Sequence, residues 1–242
     1  MSAPSRRRLA AALAAAAVLA VSGCAGQSSQ ARPLAAGAAW HGIEPQPVPE
    51  RPDFVLRDTE GRAFDFRAET GGEPTYVYFG YTDCPDECPT AMADLAAALR
   101  QTAPELRETV NVVLVTTDPE RDDPARLRSW LDQFGESFIG LHGTQEEVDA
   151  AQRAAGIRPA ERGGDVPTLP GQPNEHAHKP GTAPHTHDRP LGYSVEHANV
   201  IFAYDVDDRL PVLYPAGATA SDLAADLPLL AQPASRRGKE DQ

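Results

Sequence analysis

Apolar positions in this chain come in short bursts divided by turn residues, and their spacing switches between the strand and helix periods. Phe54-Val55-Leu56, the turn Asp58-Thr59-Glu60-Gly61 and the alternating Ala63-Phe64-Asp65-Phe66 predict a β-hairpin. Thr75 to Gly80 is an unbroken run of β-branched and aromatic residues, which predicts a buried strand. Val110 to Thr116 predicts a second, and Phe138 to Leu141 a short third. Between these runs, Met92, Leu95 and Leu99 recur at helical spacing behind Pro89, the expected first helical residue. Pro124 opens a helix carrying Leu127, Trp130, Leu131 and Phe134, and Glu146 to Ala155 predicts another. Strands return at 193–214 with Asp207-Asp208 as the hairpin turn, and Ser221 to Leu230 forms a closing helix. Strands alternating with helices, followed by a terminal hairpin, predict an α/β fold with a central mixed sheet flanked by helices. No internal repeat is present.

The ends of the chain lack these periodicities. Residues 1–23 hold Arg6, Arg7 and Arg8, an apolar run from Leu9 to Val21, then Ser22-Gly23 before Cys24. The run is short for a membrane span, and small residues before a cysteine resemble the lipobox of bacterial lipoproteins. Residues 1–23 are therefore expected to be a signal peptide and Cys24 a lipidated first residue, which places the protein outside the cytoplasm, anchored to the cell membrane. The alternative is an ordinary secretory signal with an incidental cysteine; Sec or twin-arginine export stays open. Residues 24–51, rich in Ala, Gly, Gln and Pro, are expected to be a flexible tether, with His41 in it solvated rather than ligating. The folded domain is placed at 52–232, and the polar tail 233–242 is expected to be disordered.

Composition narrows the function. Of 242 residues, 41% are hydrophobic, enough for a packed core. Removing the three leader arginines takes the formal charge from -13 to -16. Such a chain repels nucleic acid and anionic surfaces and favours cations and basic partners.

With Cys24 assigned to lipid, Cys84 and Cys88 are the only thiols left for chemistry. They lie in Asp83-Cys84-Pro85-Asp86-Glu87-Cys88-Pro89, between the strand ending at Gly80 and the helix behind Pro89, the position of a thioredoxin-like active site. A residue before proline avoids the α region, so both cysteines are expected on a tight turn, Cys88 against a helix N-terminus that favours thiolate. Asp83, Asp86 and Glu87 oppose a second negative charge, and a bound cation would resolve that conflict. A structural disulfide closing so short a loop would contribute only about 2 kcal/mol. Two soft thiolates suit copper or zinc and call for a third ligand.

Seven histidines are candidates. His142 ends an apolar run, where a structural role is expected. His176, His178, His185 and His187 lie in a Pro/Gly-rich stretch without periodicity, expected as a loop over 163–190. His197 lies between Tyr193-Ser194-Val195 and Val200-Ile201-Phe202, at a strand edge able to hold an imidazole; on spacing alone it is either a ligand or a structural histidine.

Three motifs in order, Gly80-Tyr81-Thr82-Asp83-Cys84-Pro85-Asp86-Glu87-Cys88-Pro89-Thr90, Thr117-Asp118-Pro119-Glu120-Arg121-Asp122 and Tyr193-Ser194-Val195-Glu196-His197, resemble the Sco/SenC family of copper proteins over roughly residues 52–230. The resemblance implies a thioredoxin-like domain that binds one copper, as Cu(I), Cu(II) or both, through Cys84, Cys88 and His197. It also implies a role in maturing the copper A centre of cytochrome c oxidase, by delivering copper, by reducing the target cysteines, or both. Asp118 in the Asp-Pro-Glu motif either orders the loop beside the site or is a plain turn residue. The segment 163–188 is longer and richer in histidine than the family pattern, and its histidines either gather copper weakly or belong to a solvated insertion. Met92 alone follows the initiator, so thioether ligation is excluded and ligation falls to thiolate and imidazole. Two other functions stay open: a metal-free thiol-disulfide oxidoreductase using Cys84 and Cys88, and a copper or redox sensor.

Overall fold

The computed structural model describes residues 40–165 and 193–237. Cys24, His176, His178, His185 and His187, with all of the leader and most of the tether and histidine-rich segment, lie outside them. No helix among the described residues is long and apolar enough to cross a membrane.

The predicted hairpin forms as β1 (Val55–Asp58) and β2 (Ala63–Asp65). The apolar runs become β3 (Thr75–Gly80), β4 (Asn111–Thr116) and β5 (Ile139–His142), and the terminal hairpin becomes β8 (Val200–Tyr204) and β9 (Val212–Pro215). Together they make one seven-stranded sheet in the order β2-β1-β5-β4-β3-β8-β9. The central pairs β3–β4 and β4–β5 are parallel and the flanking pairs antiparallel, so the sheet is mixed as expected.

Strand β3 divides the core by side-chain alternation. Tyr76 and Tyr78 face a layer with Met92, Leu95, Leu114, Leu127 and Leu227, while Val77 and Phe79 face Phe54, Phe66, Val113, Val148 and Phe202. The first layer is covered by α2 (Glu87–Gln101), α4 (Pro124–Leu131) and α6 (Ala220–Leu230), and the second by α1 (Phe66–Thr70) and α5 (Gln145–Ala154). Capping follows local chemistry: Asp123 accepts from Arg126 N at α4, and Thr144 with Glu147 forms a capping box at α5. Asp208, at φ 57°, turns the β8–β9 connection where the Asp207-Asp208 pair is expected to turn it.

Several features depart from expectation. Two short helices, α1 and α3 (Pro104–Arg107), were not signalled by periodicity, and β6 (Glu161–Asp165) pairs with β7 (Tyr193–Glu196) in a separate two-stranded ribbon. Residues 40–51, expected within the tether, are held against the domain. Ile43 bridges to Leu213 and Glu50 to Arg209. His41 accordingly bonds the buried Asp226, Nδ1 to Oδ1 at 2.6 Å, rather than standing free. At the other end, Arg237 pairs with Asp205 and lies over Trp40, so the tail is tied to the domain through that residue.

Arg51 anchors the strap formed by residues 40–51. Its side chain is fully buried, bonding Asp208 at 2.8 Å, Thr70 Oγ1 at 2.9 Å, Glu73 O at 2.9 Å and Asp205 O at 3.0 Å. Its guanidinium also lies over the rings of Phe66 and Tyr204. Replacing Arg51 with Met removes the ion pair with Asp208 and four hydrogen bonds from the buried strap, leaving Asp208, Glu73 O and Asp205 O only their remaining donors Gly72 N, Thr75 Oγ1 and Asp208 N. The expected loss is about 3 kcal/mol, read as a lower urea midpoint at unchanged slope.

Candidate metal centre

The centre is built where β3 runs into α2. Gly80, the last strand residue, has no room for a side chain: a Cβ there would lie 2.7 Å from the Tyr78 ring and 2.8 Å from Cys88 Sγ. Glycine thus lets the Cys88 sulfur settle against the strand end. Cys84 follows in a turn, its N–H donating to Tyr81 O at 3.3 Å. Helix α2 begins at Glu87, two residues before the expected start, so Cys88 lies in its first turn and Pro89 at its third position. Proline is tolerated there because the first-turn N–H groups have no partner within the helix.

Cys88 is buried and Cys84 partly exposed, and both are free thiols. Cys88 N–H donates to Cys84 Sγ at 3.4 Å, the helix N-terminus meeting the more accessible sulfur. Donation from the Cys88 thiol, helped by the backbone N–H groups of Cys88 and Asp86, brings the Cys84 pKa down to about 3 against the opposing effect of burial. The same thiolate neighbour, with burial, pushes Cys88 up. One proton of the pair therefore leaves easily and the second is held.

Of the expected carboxylates, Asp83 is already compensated: it pairs with Arg126 and lies 3.7 Å from Arg121. The charge conflict read from sequence is thus partly resolved within the protein, because two arginines from a distant segment meet Asp83. Asp86 and Glu87 have no ion pair among the described residues.

His197 follows β7 and points back at the pair, with Nε2 3.5 Å from Cys88 Sγ. Nδ1 lies 3.3 Å from Ala198 O. A carbonyl only accepts, so the proton is assigned to Nδ1, and Nε2 presents its lone pair to the sulfurs. The imidazole stands edge-on between two rings, Tyr78 with centroids 5.8 Å apart and Tyr81 5.7 Å apart. Tyr78 is fixed in turn by its hydroxyl donating to Asn199 Oδ1 at 2.9 Å. Donor atoms of Cys84, Cys88 and His197 all lie within 4.8 Å of one another, the one such group of three among the described residues.

Asp118 does not join that group. It is buried and pairs with Arg121 in the loop after β4, and its carbonyl accepts from Arg121 N and Asp122 N. Asp122, unremarked in sequence, grips the cysteine turn: its carboxylate accepts from Thr82 N at 3.0 Å, Thr82 Oγ1 at 2.5 Å and Thr116 Oγ1 at 2.6 Å. His142 lies on β5 with Nε2 3.1 Å from Asp58 O, away from the thiols. The roles of Tyr78, Tyr81, Arg121, Asp122 and Asn199 were missed, although the first four stand inside or beside quoted motifs. Their types gave no signal, since each acts through a partner distant in sequence.

A family model described as SCO1/SenC matches residues 44–172, more than half of the chain. The chain belongs to the SCO1/SenC family. The matched segment contains both cysteines and the Asp118 loop and ends before His197. The mitochondrial SCO2 homolog of Mus musculus is 37% identical over 103 residues, 42% of this chain and 40% of the mouse protein. This SCO1/SenC chain thus spans about two fifths of the length of the curated relatives it matches. Among solved structures, copper-bound ScoI of Bradyrhizobium japonicum aligns with a TM-score of 0.57 at 27% identity, over 76% of this chain and 100% of that one. Copper-bound yeast Sco1 aligns with a TM-score of 0.58 at 25% identity, over 80% and 97%. The fold is the thioredoxin-like α/β fold of these Sco structures.

The thiol asymmetry sets a pH dependence. A pKa lowered to about 3 leaves Cys84 as thiolate at every pH above it, so the reactive form is lost only as pH falls through that value. In the reduced, metal-free protein, iodoacetamide should modify Cys84 at a rate that stays level between about pH 8 and about pH 5. Cys88 should react at least ~10-fold more slowly, as read by peptide mass spectrometry.

Proposed function

We propose that this SCO1/SenC protein is a copper carrier, holding one copper ion as cargo between Cys84, Cys88 and His197 and passing it to an acceptor outside the cytoplasm. The observation that carries the reading is the convergence of two thiol sulfurs and one imidazole nitrogen within 4.8 Å. Two thiolates suit Cu(I), and adding an imidazole suits Cu(II). Three protein donors leave room for an incoming thiolate, whereas a structural zinc site normally closes with a fourth. Support also comes from the solved relatives whose structures contain copper.

Each residue has a distinct task in cargo exchange. Cys84, accessible and readily ionised, meets the incoming ion or acceptor thiolate first. Cys88, buried against Gly80, holds the cargo on the protein side. His197, with Nδ1 directed at a carbonyl, completes the donor set through Nε2. The acceptor is proposed to be the cytochrome c oxidase subunit carrying the copper A site. Cys24 is proposed as the lipid attachment that keeps the domain at the membrane outside the cytoplasm, after removal of residues 1–23.

A second reading has its own observation. Cys84 is ionised and accessible beside a protonated Cys88, as a dithiol reductant requires. The Cys84 thiolate would attack a target disulfide and expel one target sulfur as thiolate. Cys88, losing its proton, would then close the Cys84–Cys88 disulfide, releasing the target as a dithiol. Metal delivery and thiol reduction can therefore share the site.

A copper titration of the reduced protein tests the carrier reading. Wild type should bind one tight equivalent, lost in Cys84→Ser and Cys88→Ser and at least ~10-fold weaker in His197→Ala, with an altered Cu(II)–thiolate absorption. Weak equivalents surviving the cysteine variants would be assigned to His176, His178, His185 and His187. Retention of the tight equivalent in both cysteine variants, or copper binding unchanged in His197→Ala while dithiol reductase activity persists, overturns the carrier reading.

A further inference from the structure

The two arms of the centre come from different parts of the architecture. Cys84 and Cys88 stand on the β3–α2 junction inside the seven-stranded sheet, whereas His197 follows β7, whose strand partner is β6 in the separate ribbon. Strand β8 fixes the chain on one side of His197, from Val200 onward. On the other side, side-chain contacts must set the distance between imidazole and sulfurs.

Those contacts converge on Arg121. Its side chain is 9% exposed, and its guanidinium pairs with the buried Asp118, lies 3.7 Å from Asp83 Oδ2 and stands 5.4 Å from the centre of the Tyr81 ring. Asp83 is the residue before Cys84, so one contact reaches the cysteine arm. Tyr81 reaches the histidine arm twice, through its ring against His197 and through its hydroxyl, which accepts from Val195 N at 3.5 Å. The adjacent Glu120 pairs with Arg162 on β6, in register with Val195 on β7. Asp122 meanwhile ties the loop to Thr82 and Thr116. Three consecutive residues thus hold the cysteine turn, the sheet end and the ribbon.

The geometry points to Arg121 as a positioning residue that locks His197 in register with the cysteine pair, through Tyr81 and Asp83. The inference rests on the copper reading of the site and deepens it. Arg121 touches no donor atom in the contacts described; it sets the plane of Tyr81, against which the imidazole is held. A planar guanidinium can pair with carboxylates at its edge while covering a ring with its face, which an ammonium cannot reproduce.

The test compares wild type with Arg121→Leu, Arg121→Lys and Tyr81→Leu in the full chain. In the metal-free protein, the NMR cross-relaxation between the Tyr81 ring and the His197 ring should be lost in Arg121→Leu, while Cys84 alkylation stays within about 2-fold of wild type. With Cu(II) added, Arg121→Leu and Tyr81→Leu should both lose the imidazole nitrogen signature in electron paramagnetic resonance, as His197→Ala does, and bind copper about 10- to 100-fold more weakly. Arg121→Lys should fall between wild type and Arg121→Leu, and it carries the test if the leucine variant does not fold. A merely structural role would lower thermal stability and weaken cysteine and histidine ligation together, which overturns the proposal, as does an unchanged nitrogen signature in Arg121→Leu. If wild type binds no copper at the three residues, the carrier reading fails by itself, and the Tyr81–His197 cross-relaxation still decides whether Arg121 positions the imidazole.

Discussion

The buried carboxylate of Asp122 joins the ends of two neighbouring parallel strands. By accepting from Thr82 beyond β3 and from Thr116 at the end of β4, it makes both strands discharge their loops at one point. Burial raises its pKa while the Thr116 and Thr82 hydrogen bonds act the other way, so the carboxylate is affordable only because its donors are in place. Parallel pairing of β3 with β4 brings the two carboxyl ends together, the side of an open α/β sheet where ligands commonly bind. With the loops joined, the cysteine turn becomes a fixed platform on which a thiol pair can be held.

On that platform the thiols are made unequal by packing. Gly80 admits the Cys88 sulfur to a buried position, and the first turn of α2 directs an N–H at Cys84. One sulfur is ionised and reachable while the other is protonated and enclosed, an arrangement that suits both stepwise ligand exchange and dithiol chemistry. The compensation of Asp83 by Arg121 and Arg126 removes a nearby negative charge that would have opposed ionisation.

The histidine arm has a different origin. Its ribbon stands outside the main sheet, and its reach toward the sulfurs depends on Tyr78, Tyr81 and the Asp118-to-Asp122 loop. The family model ends at residue 172, so this arm lies beyond the matched segment while the platform lies within it. Two rings and a carbonyl nevertheless give His197 a defined tautomer and direction.

The sequence by itself determined the order of strands and helices, the position of the cysteines between a buried strand and a helix, and the family through three motifs. Local rules suffice for these, because alternation, helical spacing and turn residues act over a few positions. The same rules misplaced the start of α2, since the preference of a pre-proline residue against the α region yields to the helix when proline falls in its first turn. They missed α1 and α3, which are too short to show a period, and the strap, whose partners Asp208, Arg209 and Leu213 stand far along the chain. Spacing left His197 open between ligand and structural residue. Only the tertiary structure brought its Nε2 to the sulfurs, set its neighbours and joined Arg121 to Asp83 and to the Tyr81 ring, because distances between segments so far apart arise from packing and are written in no local pattern.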